Sequence, residues 1–140
     1  MKVTGTDRIL VAVKDLEVAT ARFAELLGLR FDGVRVDQAQ QVRYNRAAMG
    51  LELVQSTTPD GPVARFIEKR GEGLYGAILR VDDLSGAIKE LEQKGLKLIG
   101  QSTIGGLKEA FFHPRDCHGL MIALCEYEDR HGATVAEEQG

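Results

Sequence analysis

The sequence is poor in cysteine, and this limits the redox and metal chemistry that it can support. Only two cysteines occur, Cys117 and Cys125. They form neither a Cys-x-x-Cys motif nor the dense framework of a small disulfide-bonded protein. We therefore expect reduced thiols. Cys125 lies in an apolar run, so we expect it in the core.

Long basic or apolar runs are also missing. The chain has 18 basic and 21 acidic residues, and no Lys/Arg run is long enough to neutralise several phosphates. No uncharged apolar stretch approaches the roughly 20 residues of a membrane helix, and residues 1–7 lack the apolar core of a signal peptide. We therefore expect a cytoplasmic protein that binds neither nucleic acid nor membranes.

What the sequence does contain is an internal repeat. The segment Val13-Lys14-Asp15-Leu16 matches Val81-Asp82-Asp83-Leu84, and in both places a β-prone run leads into an amphipathic helical pattern. With the same offset, Phe23 falls on Leu91. With 140 residues and 44% hydrophobic content, the chain suits one globular domain built from two copies of one unit.

Hydrophobic periodicity and turn residues predict an α+β protein in which each unit is β-α-β-β-β. The two units cover residues 7–55 and 74–126 and form one domain, and residues 127–140 are expected to be an acidic flexible tail. The predicted helices are 16–27, 62–69 and 84–94. The predicted strands are 8–13, 31–36, 41–47, 51–54, 74–81, 96–101, 108–113 and 120–126.

Several stretches resemble the vicinal oxygen chelate superfamily, which includes glyoxalase I, extradiol dioxygenases and bleomycin-resistance proteins. They are DGPVARFIEKRGEG within residues 56–73, residues 79–98, HPRDCHGLMI at 113–122, and residues 8–31. Within that superfamily the closest resemblance is to the methylmalonyl-CoA epimerases. The resemblance implies a cupped mixed sheet around a cleft that holds a divalent metal and a small-molecule ligand.

The family's metal ligands, carried over by this resemblance, fall on Arg8, Glu52, Gly76 and Ala123. Histidine would be expected at the first and third positions and a carboxylate at the fourth. A guanidinium has no lone pair to give, and glycine and alanine have no side-chain donor, so only Glu52 could bind a metal. The family's second acid/base glutamate falls on Tyr44. We therefore expect neither a metal nor another cofactor.

Strand alternation extends the cleft from these four positions. The apolar residues expected on the same face are Leu10, Val54, Leu74, Ile78, Met121 and Cys125. The neighbouring Tyr75 is out of phase and is expected to pack towards a helix. Arg8 and Glu52 are the charged pair that the alignment places in the cleft, where they either contact a ligand or form a structural salt bridge in place of the metal.

For three other features a purely structural role is an alternative to a functional one. Tyr44 either gives its hydroxyl to a ligand or packs at the core or rim. His113 and His118 belong to a turn rather than a metal site. The basic positions of the short helix could meet an anionic nucleotide tail, although a solvated helix face is the favoured reading.

Two functional hypotheses follow. The first is a metal-independent isomerase, epimerase or lyase acting by acid/base chemistry on a small oxygenated or acyl-CoA-like molecule. In this hypothesis Glu52 is the base, and Arg8 and Tyr44 stabilise the developing negative charge. The alternative is a binding or sequestering protein of the bleomycin-resistance type. For either, the ligand-binding residues would be Leu10, Val54, Leu74, Gly76, Ile78, Met121 and Ala123. A homodimer is expected, because exposed edge strands favour pairing across a subunit contact.

Overall fold

Two aspartates in equivalent positions start the helix of each repeat. Asp15 Oδ1 accepts a hydrogen bond from Val18 N at 3.0 Å, and Asp83 Oδ1 accepts one from Gly86 N at 3.1 Å. These side chains satisfy backbone donors that a helix start leaves without partners. Leu16 and Leu84 then turn inward and are buried. The repeat seen in the sequence is therefore also a repeat of local structure.

The computed structural model describes residues 1–128. Its helices are α1 (Leu16–Leu27), α2 (Pro62–Arg70) and α3 (Leu84–Gln93), with a short 3-10 turn at Pro114–Asp116. Its strands are β1 (Val3–Ala12), β2 (Arg35–Asp37), β3 (Val42–Ala47), β4 (Leu51–Ser56), β5 (Gly73–Val81), β6 (Leu98–Ile104), β7 (Leu107–Phe112) and β8 (Met121–Glu126). No helix within residues 1–128 is long and apolar enough to cross a membrane.

All eight strands form one curled mixed sheet in the order β2-β3-β4-β1-β5-β8-β7-β6. The first strands of the two repeats, β1 and β5, pair antiparallel at the centre. Each also pairs in parallel with the last strand of its own repeat, β4 or β8. The predicted cupped α+β fold of two β-α-β-β-β units is confirmed.

The sheet separates the core into clusters on its two faces. Small clusters lie under α1 and α3, around Leu16 and Leu84 respectively. The largest cluster belongs to the other face, where α2 contributes Val63 and packs Phe66 against the buried side chains. Because α2 joins the repeats, the linking segment also covers part of the concave face.

The second strand of the first repeat is shorter than predicted. Instead of a strand over 31–36, β2 has three residues, and Phe31 forms a single bridge with Ala47. Gly33 lies between these parts with φ +113°, a conformation that interrupts an extended strand. Gly33 N donates to Asn45 Oδ1 at 3.0 Å, so a side chain replaces the strand partner there.

A β-bulge in β5 reverses the predicted strand alternation. Leu10 pairs with Gly76, but the next residue, Val11, pairs with Leu74, so Tyr75 is an extra residue in the ladder. Leu74 is consequently 60% exposed, and the prediction that it lines the cleft is wrong. Tyr75 packs on Phe66 of α2 edge to face, with ring centroids 5.0 Å apart, but it also faces the cleft that Leu74 was expected to line.

Tyr127, the first residue of the predicted tail, is anchored to the sheet. Its hydroxyl donates to Asp7 Oδ1 at 2.8 Å, and the Arg80 guanidinium lies 3.8 Å from its ring centroid. Residues 129–140, the rest of the predicted tail, lie outside the described residues.

Substituting Gly76 with alanine should destabilise the centre of the sheet. An added Cβ would lie 2.5 Å from the Met121 carbonyl oxygen and 2.7 Å from its terminal methyl. We expect a loss of about 1–3 kcal/mol in the free energy of unfolding, measured by urea denaturation. Gly5→Ala in β1 is the matched control, because nothing lies within 4 Å of its Cβ position. Equal stability of the two variants would contradict the close packing of β5 on β8.

Candidate active site

A cavity of about 180 Å³ lies between the concave face of the sheet and α2. Most of its wall is apolar, including Leu10, Val54, Ile78, Phe111 and Met121. Its polar lining comes from Tyr44 and Arg46 on β3, Glu52 on β4, Glu109 on β7, Tyr75 on β5, and the turn residues Asp37, Gln40 and Gln41. An apolar cavity with a few convergent polar groups has the character of a small-molecule site.

Beneath this cavity lies a buried ion cluster centred on Arg8, which is 2% exposed. Its Nε donates to Glu52 Oε1 at 3.1 Å and its Nη1 to Asp7 Oδ2 at 2.5 Å, while its Nη2 donates to Glu109 Oε2. Burial opposes the charge on Arg8, but the carboxylates of Glu52, Glu109 and Asp7 together raise its pKa. The guanidinium is therefore a permanent buried cation.

Arg46 is the second cation of the cluster and, unlike Arg8, it lines the cavity. Its Nε donates to Glu52 Oε1, and its guanidinium carbon lies 4.9 Å from the ring centroid of Tyr44. Among the described residues this is the hydrogen bond that the Arg46 side chain makes, so its two terminal nitrogens can serve a ligand. The cation that a ligand can reach is thus Arg46.

Strand register explains why these side chains meet. Arg46 and Glu52 are direct cross-strand partners in β3 and β4, and Leu10 of β1 is the parallel partner of Glu52. Tyr44 lies two residues from Arg46 on the same face, as strand alternation requires. Glu109 reaches the cluster from the second repeat, where it pairs with Cys125.

Several polar atoms in the cavity have no hydrogen-bond partner within the part of the chain that the structure describes. They are the Tyr44 hydroxyl, Glu52 Oε2 and Glu109 Oε1. Burial raises the pKa of Tyr44, so its phenol remains a proton donor at neutral pH. Together with Arg46, these groups offer two donors and two carboxyl oxygens to one bound molecule.

The residues present do not fit a divalent metal. Within residues 1–128, no group of three or more His, Cys, Asp or Glu side chains is arranged to hold one. At the position of a family ligand, Arg8 presents hydrogen-bond donors where an electron pair would be needed. The carboxylates nearest to it, on Glu52 and Glu109, are already hydrogen-bonded to that guanidinium.

The structure separates the predicted site residues into three groups. Glu52, Tyr44, Leu10, Val54, Ile78 and Met121 line the cavity. Arg8, Gly76 and Ala123 are buried but do not line it, which corrects their expected placement in the cleft. Gly76 is covered by the Met121 side chain, and the hydrogen-bonding groups of Arg8 are occupied by the three carboxylates. Leu74 points away because of the bulge at Tyr75.

Sequence reasoning missed Arg46 and Glu109, and it also treated Arg8 and Glu52 as a pair without further partners. A signal was present in both cases. Arg46 is two residues from Tyr44 on a predicted strand, and Glu109 is a lone acid beside the apolar run Ala110-Phe111-Phe112. Charged residues in such positions are candidates for buried pairing or ligand contact.

A second groove, of about 490 Å³, is rich in basic residues. Arg65, Lys69 and Arg70 of α2 line it with His113 and Arg115. It is next to the cavity, because Pro62, Tyr75, Ile99 and Met121 line both. His113 Nδ1 accepts from Arg115 N at 3.0 Å, in keeping with the turn role predicted for this loop.

Replacing Arg8 with methionine should strongly destabilise the protein at neutral pH. The change keeps most of the side-chain volume but removes the cation that Asp7, Glu52 and Glu109 share, and breaking a buried ion pair in this way costs about 3–5 kcal/mol. Protonating the carboxyls relieves the repulsion, so the loss should be smaller at pH 5 than at pH 8. Urea unfolding at both pH values measures this. Arg22→Met, at an exposed position on α1, is the control. A small or pH-independent loss in Arg8→Met would contradict the role of Arg8.

Comparisons with known proteins agree with the fold. The uncharacterised protein YqjC of Bacillus subtilis (strain 168) is 31% identical over 132 residues, which covers 89% of this chain and 94% of that protein. The mitochondrial methylmalonyl-CoA epimerase of Mus musculus is 28% identical over 130 residues, covering 88% of this chain and 73% of the enzyme.

Solved structures point in the same direction. The crystal structure of methylmalonyl-CoA epimerase from Mycobacterium tuberculosis superposes with a TM-score of 0.81 at 27% identity, over 91% of this chain and 90% of that one. The family model of the glyoxalase/bleomycin resistance protein/dioxygenase superfamily matches residues 7–111. The resemblance seen in the sequence is confirmed, and the chain belongs to the glyoxalase/bleomycin resistance protein/dioxygenase superfamily.

Proposed function

We propose that the protein is an isomerase of acyl thioesters that moves a proton at the carbon next to the carbonyl, without a divalent metal. The relatives named above as methylmalonyl-CoA epimerases support the reaction class. The observation that supports it most directly is the pairing of a carboxylate, Glu52, with two guanidinium groups at the wall of an apolar cavity.

Glu52 is the base in this proposal. Both of its hydrogen bonds among the described residues are accepted by Oε1, from Arg8 and Arg46, which fixes the carboxylate and leaves Oε2 for the substrate. Oε2 takes the proton from the substrate carbon, the C–H electron pair becomes part of a C=C bond, and the carbonyl electrons move onto oxygen. A positioned carboxylate in a water-poor site is suited to this transfer.

The negative charge that forms on the carbonyl oxygen needs donors in a fixed position. Arg46 and the Tyr44 hydroxyl supply them, because both reach the cavity and the ring of Tyr44 lies against the guanidinium. Arg8 has a different role from the one first expected. It lies below the cavity and positions the carboxyls instead of touching the substrate.

The basic groove beside the cavity supports a substrate with an anionic tail. Its arginine and lysine side chains suit the phosphates of a coenzyme A ester, while the cavity suits a short acyl group. The two spaces adjoin at Tyr75 and Met121, so one molecule could extend through both. This arrangement favours the nucleotide-tail reading of α2 over a purely solvated helix face.

The test is deuterium incorporation from D₂O into a panel of acyl-CoA esters, namely methylmalonyl-CoA, 2-methylbutanoyl-CoA and propanoyl-CoA, followed by mass spectrometry. We expect exchange at the carbon next to the carbonyl for at least one ester. Glu52→Gln keeps the size of the side chain but should slow exchange of the enantiomer from which Glu52 takes the proton by about 100-fold or more, while affinity changes only a few-fold.

Glu92→Gln is the matched control, because Glu92 is an exposed glutamate on α3 that does not line the cavity. It should exchange at the wild-type rate. If an ester raises the melting temperature of the wild type but no ester acquires deuterium, the proposal of catalysis fails, and the protein is a binding protein of the kind that the alternative hypothesis describes.

A further inference from the structure

Glu109 is a second carboxyl at the cavity that proton removal by Glu52 does not use. It is 4% exposed, and it lines the cavity from β7. A buried acid in an apolar strand costs stability unless it is paired or functional. Its side-chain hydrogen bond within the described residues comes from Arg8 Nη2 to Oε2, which leaves Oε1 without a protein partner there.

The two glutamates approach the cavity from different halves of the sheet. Glu52 is on the last strand of the first repeat, and Glu109 is on the third strand of the second. Arg8 joins them, with Nε bonded to Glu52 and Nη2 bonded to Glu109. One guanidinium therefore fixes both carboxyls at the same cavity, each with an oxygen that makes no hydrogen bond to the described residues.

The surroundings of the two carboxyls differ in charge. The Glu52 carboxylate accepts hydrogen bonds from two guanidinium groups, those of Arg8 and Arg46. Among the described residues the Glu109 side chain accepts one from Arg8 alone. Arg8 also donates to Asp7 and Glu52. Burial raises the pKa of Glu109, and the negative charge of Glu52 raises it further. The positive charges of Arg8 and Arg46 oppose this rise. Cys125, its partner across β8, stays a neutral thiol because burial raises its pKa to about 12.

Such a pair divides the two tasks of an inversion, since one carboxyl is set to accept a proton and the other to donate one. Position and charge both select Glu109 for the donor.

We propose that Glu109 is the second proton-transfer residue of the site and that, together with Glu52, it inverts the configuration of a carbon next to a thioester carbonyl. This rests on the proposed function. Glu52 removes the proton from one face of the carbon to give the enolate. The enolate then re-forms the carbonyl, and its carbon takes the proton from the Glu109 carboxyl on the other face. Glu52 ends protonated and Glu109 ends ionised, and reaction of the product enantiomer, or exchange with solvent, restores the starting state.

The experiment uses the 2R and 2S forms of methylmalonyl-CoA and 2-methylbutanoyl-CoA, each incubated separately in D₂O. In the wild type, early product should contain solvent deuterium while the remaining substrate is still protiated. A single shared base would instead carry the substrate's own hydrogen into the product. That result in the wild type overturns the proposal even if every Glu109 variant fails to fold.

The variants assign the residue. Glu52→Gln should abolish exchange of one enantiomer and Glu109→Gln exchange of the other, and each should slow inversion by about 100-fold or more. Glu109→Asp, which retains a carboxyl, should recover part of the inversion. The comparison variant Tyr44→Phe should slow exchange of both enantiomers equally, since its hydroxyl is expected to serve the common enolate.

The outcomes separate this proposal from the one on which it rests. If the wild type exchanges no ester, the proposed function fails. Suppose instead that the wild type exchanges and inverts an ester. If Glu109→Gln then exchanges and inverts both enantiomers at the wild-type rate, the proposed function stands and the proposed role of Glu109 is wrong. A Glu109→Gln variant that slows both enantiomers equally would also overturn it, because that pattern is typical of a structural residue.

Discussion

The structure depends on one constraint, which is that the buried guanidinium of Arg8 must be surrounded by acids. A charge removed from water is tolerated only when partners and hydrogen bonds replace its hydration. Here the partners are Asp7 in β1 itself, Glu52 on the adjacent strand β4, and Glu109 on β7 in the other half of the sheet. Arg46 of β3 joins through Glu52. The cluster thus links both repeats beneath the cavity and fixes the carboxyls that face it.

Because the buried cation at this site is a guanidinium, it cannot contact the substrate as a bound metal would. A bound metal would contact both protein ligands and substrate, whereas Arg8 directs its donors to carboxylates and lies below the cavity wall. We infer that Arg46 and Tyr44 contact the developing oxyanion, and that Glu52 and Glu109 transfer protons. The relatives share the fold, and a shared fold does not by itself determine the chemistry of the site.

Much of the fold could be predicted because local and repeated signals agree. Asp15 and Asp83 mark both helix starts, and the matching segments at Val13 and Val81 indicate duplication. The bulge at Tyr75 could not be predicted, because an extra residue in a ladder depends on pairing between strands and leaves no clear local pattern. It exchanged the expected positions of Leu74 and Tyr75. Glu109 and Arg46 were missed for a related reason, since their partners lie on strands that only the folded register brings together.

The central claim is that fixed guanidinium groups replace a metal at this site. The most direct test is the rate of deuterium exchange into an acyl-CoA ester before and after exhaustive dialysis against a chelator. The metal content is measured in the same samples. The account predicts an unchanged rate and no stoichiometric Zn, Co, Ni or Mn in either sample. A rate that is lost with the chelator and restored by Co²⁺ or Mn²⁺, together with about one metal per chain that disappears in Glu52→Ala, would contradict it.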